Sequence, residues 1–240
     1  MSGLFETWVY LAEQPLLWLT LTVGAYAIAY HLFMLTQGFA LLNPVLVAIL
    51  MIVATLMITE TDYATYFEGA QFVHFLLGPA TVLLAVPLVA QAQRLRRQWL
   101  PLSIALIAGS ASAIVSALVI GRVLGLKADV VASLLPKSAT TPIAMAVAEQ
   151  IGGQPSLTAV LVILTGITGA IAGVPMLRAL GERDPDIKGF ATGVAAHGIA
   201  TARAFQHSER AGAYAGLGMG LNAALTALLV PLIAWLAGLY

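Results

Sequence analysis

An all-α polytopic membrane fold, with about seven to eight membrane helical elements, some of them broken, is predicted by three features of the 240-residue sequence. Hydrophobic residues make up 60% of the chain and charged residues only 9%, against about a quarter charged in soluble domains. Charge-free runs cover Gln14 to Thr59, Gly69 to Gln93, Gln98 to Gly121, Gln150 to Leu177 and Ala211 to Tyr240. Each run holds at least one span of about 20 residues, whereas a barrel would need alternating strands of about 10. Proline and glycine interrupt the apolar pattern at Gly78-Pro79, Pro136, Pro142 and His197-Gly198, where helices break or kink.

The chain reads as a single integral membrane domain over residues 1–240. It has no cysteine and only four scattered histidines, so no metal site and no cofactor are expected. Nor does its charge suggest nucleic acid as a partner; its surroundings are the lipid bilayer. Glu6 and Glu13 precede the first apolar run without any lysine or arginine. A basic signal-peptide region is therefore missing, and the first segment is expected to stay as a membrane helix.

The first helix should begin at Pro15, a residue suited to a first helical turn, and run to about Leu35. After a tight connection at Gly38, a second helix reaches about Thr59, with Asn43-Pro44 near its start. Asn43 either caps that helix or faces a cavity, capping being the preferred role. The loop Glu60-Thr61-Asp62 is acidic. Asp62 to Gln91 exceeds one span, and Gly78-Pro79, followed by Thr81, divides it into two half-helices or kinks a single one. Arg94, Arg96 and Arg97 then form the clearest basic cluster, which suits a cytoplasmic loop and puts the amino terminus outside.

A fourth element runs from about Leu100 to Gly121. Its small residues from Gly109 to Ala113 favour close helix packing. Between Asp129 and Gln150, Pro136 and Pro142 flank Lys137, Ser138, Thr140 and Thr141. Such a stretch is either a surface loop or a broken segment lining a wet cavity, since unsatisfied backbone is costly in hydrocarbon. A helix from about Ser156 to Leu177 follows. The loop Arg178 to Lys188 mixes three basic residues with Glu182, Asp184 and Asp186 and reads as cytoplasmic. Ile187 to Gln206 is broken at His197-Gly198, and a last helix spans Tyr214 to Leu239.

If both basic loops are cytoplasmic, an even number of crossings separates them, yet three helical segments lie between. Asp129 to Gln150 is the segment expected to turn back. The remaining spans divide into two oppositely oriented triplets with broken middle helices, the inverted-repeat pattern of many secondary transporters.

A buried lysine or arginine costs about 2.5 to 3.5 kcal/mol at a helix centre and wants a partner. Glu149 is one candidate partner for Lys137 or Arg203, and an anionic ligand is another. His197 and Thr201 are four apart and share a helix face if the helix persists; the histidine is either a packing residue or part of a site. Half-helix N-termini favour a carboxylate. Lys137, Ser138, Thr140, Thr141, His197, Gly198, Thr201, Arg203 and Asn222 form the candidate substrate-binding set. His197, Glu149 and Glu68 are the proton-coupling candidates. No phosphate loop, nucleophile elbow or HExxH helix is present, and an enzyme is not expected.

Leu41 to Val45, Tyr66 to Thr81, Leu135 to Gly153, Ala195 to Arg203 and Gly216 to Asn222 together resemble the LrgB/CidB family of bacterial membrane proteins. The resemblance covers nearly the whole chain from about Leu41. It implies a multi-pass protein of the bacterial inner (plasma) membrane, and it implies two functions. One is antiholin-like regulation of murein hydrolase export and lysis, with a small LrgA/CidA-type membrane protein as partner. The other is transport of a small carboxylate such as pyruvate or glycolate, as in the plastid glycolate/glycerate translocator. A weaker resemblance is to cation/proton antiporter and anion transporter folds. Proton-coupled transport of a small monocarboxylate is the expected function, lysis regulation the alternative, and assembly as a homo-oligomer is compatible with either.

Overall fold

The computed structural model describes residues 14–36, 39, 42–76, 79, 82–83, 89 and 92–239, without the side chains of 74 and 94. Among them are ten helices and no strand. Four helices are long and apolar enough to cross a membrane. The chain divides into two compact units, Met1–Leu83 and Leu84–Tyr240.

The first unit contains α1 (Pro15–Leu35), α2 (Pro44–Ile58) and α3 (Tyr63–Phe75). Proline opens α1 and α2, where a missing N–H is harmless. Asn43 caps α2, its Oδ1 accepting from the backbone N–H of Val45 and Leu46 at 3.0 and 3.3 Å. It therefore starts a helix and does not break one. Trp18, fully buried, meets Tyr66 edge-on with centroids 5.9 Å apart. Of the expected break at Gly78-Pro79, both Gly78 and Thr81 lie outside the described residues.

The second unit contains α4 (Ala92–Arg97), α5 (Trp99–Val123), α6 (Ala128–Leu134), α7 (Thr141–Gln150), α8 (Pro155–Ala179), α9 (Pro185–His207) and α10 (Glu209–Leu236). Helices α5 and α10 lie side by side and parallel. Tyr214 bonds Gln98 near their starts, Asn222 bonds Ser110 at mid-length, and Arg122 reaches the carbonyl of Ala237 at their far ends. Glycines with positive φ close α5, α7 and α8: Gly125, Gly152 and Gly181.

Two hairpins fill the space between these long helices. In the first, α6 and α7 are joined by turns through Leu135 to Thr140, where Lys137 N donates to Leu134 O and Ala139 N to Pro136 O. Both ends of this hairpin return to one place. The Gln154 amide donates to Asp129 at 2.7 Å, its backbone N–H donates to Ser133 Oγ, and Thr158 donates to the Ser133 carbonyl. Asp129 to Gln150 thus turns back, as its two prolines require.

The second hairpin is α9 itself, whose backbone leaves helical geometry at Ala196 and at His197 (φ 43°, ψ −140°). Residues 185–195 run antiparallel to α8: a Cβ on Gly173 would touch Thr192, and one on Gly169 would strike Ala196. The same residues run parallel to α10, since Gly189 and Gly193 abut the carbonyls of Ala211 and Ala215. Residues 198–207 return beside the same part of α10, with Thr201 against Met219 and Phe205 against Gly212. The charges of Arg203, Arg178 and Lys188 reach the His207 imidazole, which puts the start and end of α9 at one level.

These contacts change two expectations. Helices number ten among the described residues instead of seven to eight, because the segment expected as one broken element at Asp129–Gln150 is two helices and a short α4 precedes α5. Residues 187–206 do not cross as a broken middle helix but fold back on themselves. Within the His197-Gly198 pair, where the break is expected, His197 carries the positive φ.

Candidate functional site

The tips of the two hairpins approach from opposite ends of α8 and meet at Val162. The Val162 side chain packs with Ala139 and Ala144 of the first hairpin, and its carbonyl accepts from His197 Nε2 of the second at 2.8 Å. Because a carbonyl can only accept, this bond puts the ring proton on Nε2. His197 is buried, and Thr201 donates back to its carbonyl at 2.7 Å. Both residues therefore hold the hinge together.

Asn222 ties the first tip to α5 and α10. Its Nδ2 donates to the Ser138 carbonyl at 3.0 Å while its Oδ1 accepts from Ser110 Oγ. At membrane depth a freed tip carbonyl needs such a donor. This places Ser138, and with it the adjacent Lys137, against the long helices.

A cavity of about 590 Å³ ends on Lys137 and Ser138. It follows α5 from Gln98 to Ala113, about 22 Å at 1.5 Å per residue. Its walls are mostly apolar, from Leu102, Gly109, Phe190 and Val194 among others. The opposite end, the mouth, carries Gln98, Asp184, Asp186 and Tyr214; because Pro101, Ala105 and Ala195 are exposed as well as Asp184 and Ile187, the cavity is also open along its side. There Arg210 grips Asp186 at 2.5 and 2.8 Å and lies 3.5 Å from Asp184, so Asp186 is paired and Asp184 shares the same cation. The Tyr214 hydroxyl donates to Gln98 Oε1 at 2.7 Å.

Lys137, half-buried, has a hydrogen bond to Ser138 Oγ at 3.5 Å. Among the described residues no carboxylate is close enough to pair with it. Of the candidate substrate-binding residues, only Lys137 and Ser138 line the cavity. Thr140 and Thr141 follow at the start of α7. His197, Gly198 and Thr201 belong to the second tip and its return limb. Arg203 is farther down that limb, where it donates to Gln206 at 2.8 Å. Glu149 and Glu68 are exposed.

Sequence reasoning missed the mouth residues Gln98, Asp186, Arg210 and Tyr214. In the sequence, Asp186 stands out only as part of a topology-setting loop, and Ser110 only within a run of small packing residues. The mixed charges of that loop were the available signal, since a buried aspartate needs a cation.

The family model described as the LrgB-like family matches residues 22–236. The chain is 36% identical to the uncharacterized protein YxaC of Bacillus subtilis, over 90% of this chain and 94% of that one. It is 29% identical to the antiholin-like protein LrgB of Bacillus mycoides, over 91% of this chain and 95% of that one. The same protein of Bacillus cereus matches to the same extent. No solved structure matches the chain. With its long apolar helices and a family model covering most of its length, the chain is a membrane protein and belongs to the LrgB-like family.

Proposed function

We propose that this chain is a secondary transporter of a small monocarboxylate such as pyruvate or glycolate, coupled to protons and working with an LrgA/CidA-type partner. The observation that carries the reading is the cavity ending on the ammonium of Lys137, which has no carboxylate partner among the described residues. A cation desolvated among apolar walls calls for an anion, and a carboxylate with a small organic body matches both the lysine and the walls. The start of α7 beside the tip adds a partial positive charge.

In place of the two triplets with broken middle helices, the hairpins support a shorter inverted repeat, in which α5 followed by α6–α7 corresponds to α8 followed by α9 in the opposite orientation. Two tips meeting at Val162, inside the span of α8, create a site that rocking of one hairpin against the other would expose alternately. Arg96 and Arg97 adjoin the mouth end of α5, and Arg178, Arg183 and Lys188 surround the start of α9. On the positive-inside rule the cavity opens to the cytoplasm, with the amino terminus outside and the protein in a bacterial inner membrane. Bringing one negative charge into a cell against about 100 mV costs about 2.3 kcal/mol, which is why a coupling cation is needed.

The name carried by the Bacillus relatives favours a second reading over this one: an antiholin-like regulator of murein hydrolase export and lysis. The test is reconstitution with and without the partner protein, measuring labelled carboxylate uptake and dye leakage on the same vesicles. Saturable uptake without leakage supports transport. Leakage of unrelated dyes, or no uptake in either preparation, supports the lysis regulator.

A further inference from the structure

We infer that Lys137 is itself the proton-coupling residue: its ammonium form carries the carboxylate, and its neutral amine makes the empty return. The inference rests on the transport reading above and moves coupling away from the residues first expected to provide it. Glu149 and Glu68 are exposed and do not line the cavity. His197 has its Nε2 proton committed to the Val162 carbonyl and also lies outside the lining.

The charged and titratable groups around Lys137 can be taken element by element. Among the described lining residues, α5 contributes none, and α8 presents none there either. Asp184, the N-cap of α9, and Asp186 within it lie at the mouth, where Arg210 holds both. Helix α10 contributes the Tyr214 hydroxyl, bonded to Gln98, while its Asn222 is neutral and bonded to the Ser138 carbonyl. Lys137 is thus the titratable group at the end of the cavity away from the mouth, with Ser138 Oγ beside it.

An ammonium in an apolar cleft needs a counter-ion, and a carboxylate substrate supplies one. Once the substrate leaves, the amine form needs none. The cycle balances. From outside, one carboxylate pairs with one ammonium; inside, the carboxylate leaves as an anion and Lys137 gives its proton to water in the vestibule. The neutral amine then returns and takes a proton from the outer solution. One proton and one carboxylate enter together, and no net charge moves. Arginine in this position would keep the anion site but could not release the proton.

The experiment uses the full chain, with its partner if uptake needs it, in sodium-free proteoliposomes with labelled pyruvate. Wild type should accumulate pyruvate about tenfold per unit of inward pH gradient, the limit for one proton per substrate. Lys137→Arg should keep pyruvate–pyruvate exchange and lose gradient-driven accumulation, Lys137→Ala should lose both, and Glu149→Gln, at an exposed position outside the lining, should keep both. In detergent, calorimetry of wild type in buffers of different ionisation enthalpy should show proton uptake on pyruvate binding at alkaline pH, and Glu149→Gln should match it. Accumulation by Lys137→Arg under the gradient overturns the proposal, as does pyruvate binding to wild type with no proton uptake, even if the arginine variant fails to fold. Wild type that neither binds nor exchanges pyruvate or any other small carboxylate instead defeats the transport reading itself.

Discussion

Asn222 donates from its side-chain amide to the backbone carbonyl of Ser138, across 84 residues of sequence, at 3.0 Å. The bond makes the position of the first hairpin tip depend on a residue in the last helix. The Asn222 Oδ1 in turn accepts from Ser110, so three elements share one amide.

Removing that amide should loosen the tip. Asn222→Ala strands the Ser138 carbonyl and the Ser110 hydroxyl, at a cost of about 1–2 kcal/mol. Ser110→Ala leaves the Asn222–Ser138 bond in place and should cost less. Thermal unfolding of the purified variants in detergent checks the order, and equal losses would mean that the Ser138 bond contributes little.

His197 gives an unusual expectation for a residue inside a helical segment. Its φ of 43° is strained for any side chain with a Cβ, while its ring earns a bond to Val162. Alanine keeps the strain and loses the bond; glycine loses both. His197→Gly should therefore be more stable than His197→Ala by about 1 kcal/mol, the reverse of the order in an ordinary helix. Chemical or thermal denaturation of the two variants decides the matter, and alanine above glycine would place the hinge elsewhere.

The second hairpin touches α10 through glycine. A Cβ on Gly193 would strike the Ala215 carbonyl, whereas nothing lies within 4 Å of a Cβ on Gly220. Gly193→Ala should destabilise by about 1–3 kcal/mol through overpacking. Gly220→Ala should stay within about 0.5 kcal/mol of the parent. A pair of melting curves checks it; the same shift for both would show that the hairpin is not packed this closely.

Much of this architecture is legible in the sequence, because apolar runs and prolines act locally. Pro15, Pro44 and Pro155 start helices close to where the pattern puts them. Pro136 and Pro142 identify the first hairpin, since neither residue can continue a helix undisturbed. The second hairpin is harder to read. No proline marks its tip, and a break at His197-Gly198 is equally consistent with a kinked crossing. Its two limbs depend on a helix that comes later in the chain, Gly189 and Gly193 packing on α10 on the way out and Phe205 on Gly212 of α10 on the way back. The same holds for the cavity: Lys137 stands out as an isolated charge, but Gln98, Asp186 and Tyr214 come to its mouth only through tertiary packing.

The end of the second hairpin should respond to acid. Burial, followed by the nearby charges of Arg203, Arg178 and Lys188, holds the His207 imidazole below its usual range. With the folded pKa depressed below the unfolded one, the neutral form favours the fold. That contribution is present above the usual histidine pKa of about 6.5 and lost as pH falls through the folded value. Amide protection in residues 203–208, measured relative to the intrinsic exchange rate at each pH, should fall on acidification, and His207→Gln should remove the dependence. Unchanged acid sensitivity in that variant would assign it to another group.

Topology offers the most direct test, because the chain has no native cysteine. The first hairpin brings Asp129 beside Gln154, so cysteines at the exposed positions Lys127 and Ser156 should react with an impermeant maleimide from the same side of the membrane. The second brings residue 189 and residue 205 to the same stretch of α10, so cysteines at Arg183 and Gln206 should also share a side. Helix α8 separates the two pairs with 25 residues, about 37 Å at 1.5 Å per residue and enough to cross the hydrocarbon core. The two pairs should consequently label from opposite faces. If Lys127 and Ser156 label from different sides, the first segment crosses; if Arg183 and Gln206 do, the second is a kinked span after all. Either result would dissolve the meeting of the tips at Val162, and with it the end of the cavity at Lys137.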